Sequence, residues 1–264
     1  MKWLRKLAVA VLRDRVFVRR LPAEFGTRPI HVSASSALRY LKWSWHESHE
    51  DLFRLARELV EPGHQVWDIG ANAGVLGLAA AHRCGPEGGC LFVEPDPVMV
   101  DLLERTVEHP ANQDRRLGVL GKAVSDRDGT STLLISAGGR SANALREAGQ
   151  RRRPAGFRAE HTVATARLDD LLADHPPPDL VKIDVEGAEL LALRGAGRLL
   201  RDVRPILYIE VGGRQREEMT IILKQHDYQL FRGREVGYPP RDYCTHDTLA
   251  IPRENVKARE SKQP

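Results

Sequence analysis

Hydrophobic residues change their spacing along the chain near residue 65. From there on, short β-branched runs at 65–69, 90–94, 117–123, 180–184 and 206–211 alternate with stretches of helical period near 74–83, 97–108, 186–200 and 214–226. That alternation predicts an α/β fold, a mostly parallel sheet with helices on both faces. Two later runs, 228–231 and 248–251, predict an antiparallel edge pair. Before residue 65 the pattern is sparser. Short strands are expected around Val16-Phe17-Val18 and Ile30-His31-Val32. Leu52, Leu55, Ala56 and Leu59 fall at helical spacing within 47–59, before Pro62-Gly63.

Between the third and fourth strands runs a long excursion. Residues 130–135 and 162–166 read as extended, whereas 137–160 is rich in Gly, Arg and Ala and is expected to be a lid or disordered. Its Arg151-Arg152-Arg153 run can grip an anion, although a solvated charge run is the commoner meaning. The implied division is an extension over 1–60, a main domain over 61–252 with a lid-like or disordered insertion at 137–161, and a flexible polar tail over 253–264.

Composition narrows the class. With 264 residues, 42% hydrophobic and 29% charged, the chain can bury a core without disulfides or metals, which excludes disordered and fibrous classes. The formal charge of +4 is too small and scattered to demand nucleic acid. Three cysteines, Cys84, Cys90 and Cys244, form no C-x-x-C pair and suggest a reducing, cytoplasmic setting. The apolar run 7–12 is broken by Arg13-Asp14-Arg15, too short to span a bilayer. Leu4, Leu7, Ala8, Val11 and Leu12 share one helical face, so a weak membrane-surface contact is open, with packing on the protein's own domain the plainer expectation.

The candidate chemistry begins at Asp68-Ile69-Gly70-Ala71-Asn72-Ala73-Gly74, a strand running through glycines into a helix. At the carboxyl edge of a parallel sheet such a turn brings backbone N–H groups close to a ligand, and glycine is expected there so that no side chain holds the ligand away. Twenty residues on, Glu94 ends the next strand, where a carboxylate can accept from both hydroxyls of a ribose. Dinucleotide enzymes usually carry G-x-G-x-x-G, whereas Asn72 stands in the middle here and Asp68 adds negative charge. An amino group suits that charge better than a diphosphate does, which tilts the reading toward S-adenosylmethionine. Further on, Asp184 ends a strand in Lys182-Ile183-Asp184-Val185-Glu186-Gly187-Ala188-Glu189. It should face the same crevice; Glu186 is evenly balanced between function and helix-dipole complement, and Glu189 reads as structural.

Four blocks, Asp68-Ile69-Gly70-Ala71-Asn72-Ala73-Gly74, Val93-Glu94-Pro95-Asp96-Pro97, Ala123-Val124-Ser125-Asp126 and the 182–189 block, resemble in order the FkbM family of S-adenosylmethionine-dependent methyltransferases over roughly 62–211. The resemblance implies a seven-stranded class I (Rossmann-like) fold and O-methylation of a hydroxyl on a sugar, glycan or polyketide-type metabolite. By this resemblance Asp68, Gly70, Asn72 and Gly74 line the methionine end, Glu94 holds the ribose, and Ala123 to Ser125 border the adenine. Asp184 then lies beside the methyl group, and Glu210 binds acceptor hydroxyls or makes a buried structural bond. The extension and the insertion match no block of the family and are where acceptor choice is expected.

An alcohol is a poor nucleophile while protonated, so a base is expected; Asp184, Glu186 and His246 are the candidates. A divalent ion on Asp184 and a neighbouring carboxylate is an open alternative for which no dedicated metal spacing exists. An NAD(P)-dependent oxidoreductase and a catalytically inactive cofactor-binding module also remain open. No nucleic-acid partner is expected, and the sequence leaves the oligomeric state undecided.

Overall fold

The computed structural model describes residues 15–34, 40, 42, 44–137, 140–148 and 156–260, with side chains to residue 256. The amphipathic segment near Leu4 and the Arg151 run lie outside the described residues. Two antiparallel strands, β1 (Val16–Arg20) and β2 (Pro29–Ser33), precede helix α1 (Glu50–Leu59). The alternating region follows with β3 (Gln65–Ile69), α2 (Val75–Cys84), β4 (Gly89–Val93), α3 (Pro97–Glu108) and β5 (Arg116–Leu120). The excursion holds β6 (Ala123–Val124), β7 (Gly129–Ser136), β8 (Ala144–Leu145) and β9 (Phe157–Ala166). After the short α4 (Leu168–Leu171) come β10 (Leu180–Ile183), α5 (Glu189–Arg194), β11 (Ile206–Glu210) and α6 (Arg216–Gln225). The described chain closes with β12 (Tyr228–Arg232), β13 (Pro240–Arg241), β14 (Asp247–Pro252) and α7 (Arg253–Glu260).

The main sheet runs β13-β12-β14-β11-β10-β3-β4-β5, eight strands where seven are expected. Strands β11, β10, β3, β4 and β5 are mutually parallel. Strand β14 is antiparallel to both its neighbours, β11 and β12, and is buried throughout. It therefore lies inside the sheet rather than at its edge, and the two-residue β13 forms the eighth strand outside β12.

Residues alternate between two cores, as the two-residue period of a strand requires. Val66, Phe92, Leu180 and Tyr208 point toward α2, α3 and the amino-terminal layer, where Phe25 and Phe53 stack with ring centres 5.3 Å apart. Trp67, Leu91, Val181 and Leu207 point the other way, toward α5 and α6. The amino-terminal segment is thus part of the main core. His31 N–H fastens β2 to α3 by donating to Thr106 Oγ1 at 2.9 Å.

Three boundaries differ from the sequence pattern. The expected strand 117–123 breaks at Gly121-Lys122: β5 pairs with β4, while β6 joins a second sheet ordered β6-β9-β7-β8. The excursion is thus largely a long β7–β9 hairpin. The expected helix 186–200 shrinks to α5, because Glu186 and Gly187 take positive φ (52° and 109°) ahead of it, and Gly195 N–H closes its end onto Leu191 O at 3.1 Å. A separate turn over Leu199–Val203 follows, started by Asp169, whose carboxylate accepts from Arg198 and Leu199 N–H, each at 2.9 Å. Residues 253–260, read as a tail, are helical, with Val256 buried. All three cysteines are buried and free, and burial pushes each thiol up, Cys84 to about 12.

Candidate active site

The carboxyl ends of β3, β4, β10 and β11 meet at a cavity of about 250 Å³. Asp68, Gly70, Asn72, Glu94, Ala123, Asp184, Glu186 and Glu210 all line it, so three separate strand ends and the first turn face one space. Gly74, Ser125 and His246 do not.

The turn after β3 bends through left-handed backbone at Gly70 (φ 71°), Asn72 (φ 52°) and Gly74 (φ 79°). Gly70 and Ala71 N–H both donate to Val93 O, at 2.9 and 3.1 Å. A Cβ on Gly70 would lie 1.9 Å from Asp184 O, and one on Gly74 would lie 2.7 Å from Leu103 Cδ2 and 3.0 Å from Phe92 Cε1. These clashes are with the protein, not with the cavity. The expectation that the two glycines keep a side chain off the ligand is corrected accordingly: they let the turn pack against β10 and α3, and only Gly70 also borders the cavity.

Asp68 is the buried acid beneath this turn. Its Oδ2 accepts from Gly77 N–H at 3.1 Å, and its Oδ1 is ion-paired with Lys182 Nζ at 3.2 Å. Lys182 stands in the otherwise apolar strand β10, donates to Gly70 O at 2.7 Å and reaches Asp184 Oδ2 at 3.7 Å. Burial alone would lower the pKa of this ammonium, but Asp68 and Asp184 outweigh burial and hold it charged. One lysine thus ties the glycine turn to both strand-end aspartates. Lys182 was passed over in the sequence, although a lone lysine between Val181 and Ile183 is the signal that finds it.

Glu94 is buried and accepts two backbone N–H groups, Asn72 at 2.9 Å on Oε2 and Asp96 at 3.0 Å on Oε1. Burial pushes its carboxyl up to about 7, with the nearby Asp96 charge adding to the rise and the two N–H donors opposing it. Each oxygen keeps a lone pair for a ligand hydroxyl.

Ala123 lines the cavity, but Ser125 is turned away. Its N–H bonds Ala166 O at 3.0 Å and its Oγ donates to Asp126 at 3.3 Å, because the chain has crossed into the second sheet. From that sheet the segment 140–148 returns over the cavity. Arg140 grips both oxygens of the fully buried Asp96 at 2.6 and 2.5 Å, and Asn143 Nδ2 adds a bond at 2.6 Å. Arg140, Asn143 and Leu145 thereby become cavity wall, beside Glu94. Tyr40, His49 and Asp51 close another side. No local motif announces any of these residues, since their placement depends on contacts between distant parts of the chain.

His246 lies just outside, its Nε2 3.6 Å from Glu210 and its Nδ1 3.3 Å from Asp247. Glu210, His246 and Asp247 hold ligand-type atoms within 4.8 Å of one another, a group different from the Asp184-centred ion considered from the sequence. Arg234 Nε, 3.6 Å from Asp247 Oδ2, already brings positive charge to it.

The Glu94 lone pairs are the acceptors that the ribose of S-adenosylmethionine requires, and Asp68 and Asp184 bring the negative charge that its amino group requires, so the residues present fit this cofactor. Residues 68–230 match the Methyltransferase FkbM domain. The chain is 28% identical over 178 residues to the hexuronic acid methyltransferase AglP of Haloferax volcanii, covering 67% of this chain and 68% of that protein. Among solved structures, methyltransferase FkbM from Methylobacillus flagellatus KT aligns with a TM-score of 0.44 at 19% identity, over 75% of this chain. This chain spans half the length of that protein. A SAM-dependent methyltransferase from Aquifex aeolicus aligns with a TM-score of 0.41 at 15% identity, over 77% of this chain and 93% of that one.

Proposed function

The chain belongs to the FkbM methyltransferase family, with an α/β fold of the class I type, and from that premise we propose that it transfers the methyl group of S-adenosylmethionine to a hydroxyl oxygen. The observation that carries the reading is the convergence of the Gly70–Asn72 turn, Glu94 and Asp184 on one cavity. The cofactor supplies, when bound, a methyl group on a positively charged sulfur. Glu94 accepts from the ribose hydroxyls. Asp68, held in place by Lys182 and Gly77 N–H, supplies the negative charge beneath the turn that receives the amino group. The sugar-directed activity of the Haloferax relative favours a sugar or glycan as acceptor.

Displacement at carbon needs the acceptor oxygen in line with the methyl, within about 3–3.5 Å, so positioning is the main contribution of the protein. Asp184 takes the proton. Its side chain is 35% exposed, against 1% for Asp68, so of the two aspartates on Lys182 it is the one an acceptor can reach. Glu186 and Glu210, on the same cavity, orient the acceptor, and His246 steadies Glu210 from outside.

Isothermal calorimetry with S-adenosylmethionine and with NADH tests the cofactor. Binding of the first alone is expected, and binding of NADH alone would favour an oxidoreductase. With an acceptor identified by a mass gain of one methyl group, Asp184→Asn should lower kcat by roughly 10²–10⁴-fold with cofactor affinity kept. Full activity in Asp184→Asn, with loss in His246→Ala, would move the base to the histidine.

A further inference from the structure

Past His246 the cavity gives onto a second depression of about 940 Å³, and the two share Arg234 and Asp247. Its walls carry Arg216, Arg232, Arg234 and Arg241 against only Glu235 and Asp247. The compensation is incomplete. Glu235 is shared between Arg232 at 3.3 Å and Arg241 at 3.9 Å, and Arg234 divides itself between Asp51 at 2.8 Å and Asp247 at 3.6 Å. Arg216 Nε is buried and donates to nothing among the described residues.

These guanidinium groups stand on a fixed platform. Strands β12 and β13 form a hairpin whose root is clamped from two directions. Arg54, from α1, donates to Gly233 O at 3.1 Å and Arg234 O at 2.7 Å while lying 5.3 Å from the centre of the Tyr238 ring. On the other side Gly233 N–H bonds Asp247 O at 2.7 Å, so close to Tyr208 that a Cβ would lie 2.6 Å from its ring. The eighth strand, the one beyond the expected seven, is what carries Arg241 into the groove. The cavity itself is acidic on balance: its carboxylates, Asp184, Glu186 and Glu210 among them, outnumber the cations Lys122, Arg140, Lys182 and Arg234 on its walls.

An anion is therefore repelled from the cavity and attracted by the groove next to it, where planar guanidinium groups can hold a carboxylate or phosphate through paired hydrogen bonds. We propose that the acceptor is an anionic sugar, whose carboxylate or phosphate sits in the Arg216–Arg232–Arg241 groove while its hydroxyl enters the acidic cavity. The proposal rests on the methyl-transfer reading and adds the chemical class of the acceptor to it. Opposite charges in the two depressions would admit such a molecule in one orientation and select against neutral sugars.

The test is calorimetry on the full chain saturated with S-adenosylhomocysteine, with glucuronate, glucose 1-phosphate and glucose as probes. At least one acid should bind about tenfold or more tightly than glucose, as charge-assisted hydrogen bonds imply, and salt should weaken it. Whichever acid shows the preference identifies carboxylate or phosphate as the source. Arg232→Ala/Arg241→Ala should abolish the preference and Arg232→Lys/Arg241→Lys should keep part of it. Both variants should retain the wild-type thermal midpoint and S-adenosylmethionine affinity. Equal binding of glucose and both acids to the wild type, or an acid preference that survives the double alanine variant, would overturn the proposal. A wild-type protein that fails to bind S-adenosylmethionine at all would overturn the methyl-transfer reading instead, so the two failures are distinguishable.

Discussion

The cavity has two walls of different origin. One is the sheet edge, where β3, β4 and β10 present Asp68, Glu94 and Asp184 within a few residues of each strand end, and where Lys182 cross-links the turn to two of the three acids. The other is assembled from Tyr40 and Asp51 before the sheet, the 140–148 segment of the second sheet and the 232–241 hairpin beyond α6. Backbone hydrogen bonds of the parallel ladder fix the first wall, so its geometry follows from local sequence. The second depends on attachments between distant segments, such as Arg140 and Asn143 on Asp96 and Arg54 on Gly233 O and Arg234 O.

The largest effect that would expose this difference lies in the buried pair. Lys182→Met strips the 1%-exposed Asp68 of its cation, so that its carboxyl must be buried unpaired or take up a proton, which should cost about 3–5 kcal/mol in urea unfolding. Asp68→Leu/Lys182→Met should recover much of that stability while leaving cofactor binding lost. Recovery of both would detach this wall from the cofactor. Next in size is Glu94. Its carboxyl titrates near 7 in the folded protein against 4.5 when unperturbed, so the folded state holds the proton more tightly. The contribution of Glu94 to stability should be full below about pH 4.5 and should fall by about 3 kcal/mol as pH rises through 7. Ribose hydroxyls need the ionised acceptor, so cofactor affinity should rise over the same interval. Unfolding and calorimetry between pH 5 and 8 measure both trends, and Glu94→Gln should flatten them.

The two walls also differ in how far the sequence disclosed them. Glu94 and Asp184 were legible because a parallel strand ends where its apolar run ends and the next polar residue must face the crevice, and Asp68 because it interrupts such a run just before the glycine turn. Lys182 was missed because its charge is internal to a run read as hydrophobic. Ser125 was misplaced because nothing local to residues 121–122 shows that the chain changes sheets there. The parallel strands and their helices followed from the alternating pattern, whereas the order of the strands, the insertion of β14 between β11 and β12, and the added β13 depend on pairings between distant segments. The 140–148 wall was unreadable for the same reason: Arg140 has meaning only once Asp96 is known to lie beneath it.

Two smaller perturbations sharpen the contrast. Gly70→Ala forces a Cβ to within 1.9 Å of Asp184 O, and this backbone clash, added to a left-handed strain of about 1–3 kcal/mol, should appear as a lower thermal midpoint together with weaker cofactor binding. Gly74→Ala meets only Leu103 and Phe92, so it should lower the midpoint with little change in affinity for the protein that remains folded.

Arg140→Ala should have the mildest effect, because Asp96 keeps Asn143 and the Val98 N–H as donors after the guanidinium is gone. Arg140 anchors the end of the segment that lies beside Glu94, since the Asp96 it grips donates its N–H to Glu94 at 3.0 Å. At the other end Leu145 and Ala148 pack on Val185 and Ala188 whether or not the guanidinium is present. Cofactor affinity should therefore fall about tenfold, equivalent to about 1.4 kcal/mol, with the acceptor KM unchanged. The opposite split, in which acceptor KM rises and cofactor Kd stays fixed, would assign the second sheet to the acceptor. It would then leave the sheet edge alone to hold the nucleoside. Measuring both constants on the same variant decides between the two assignments, because a merely loosened protein would move them together.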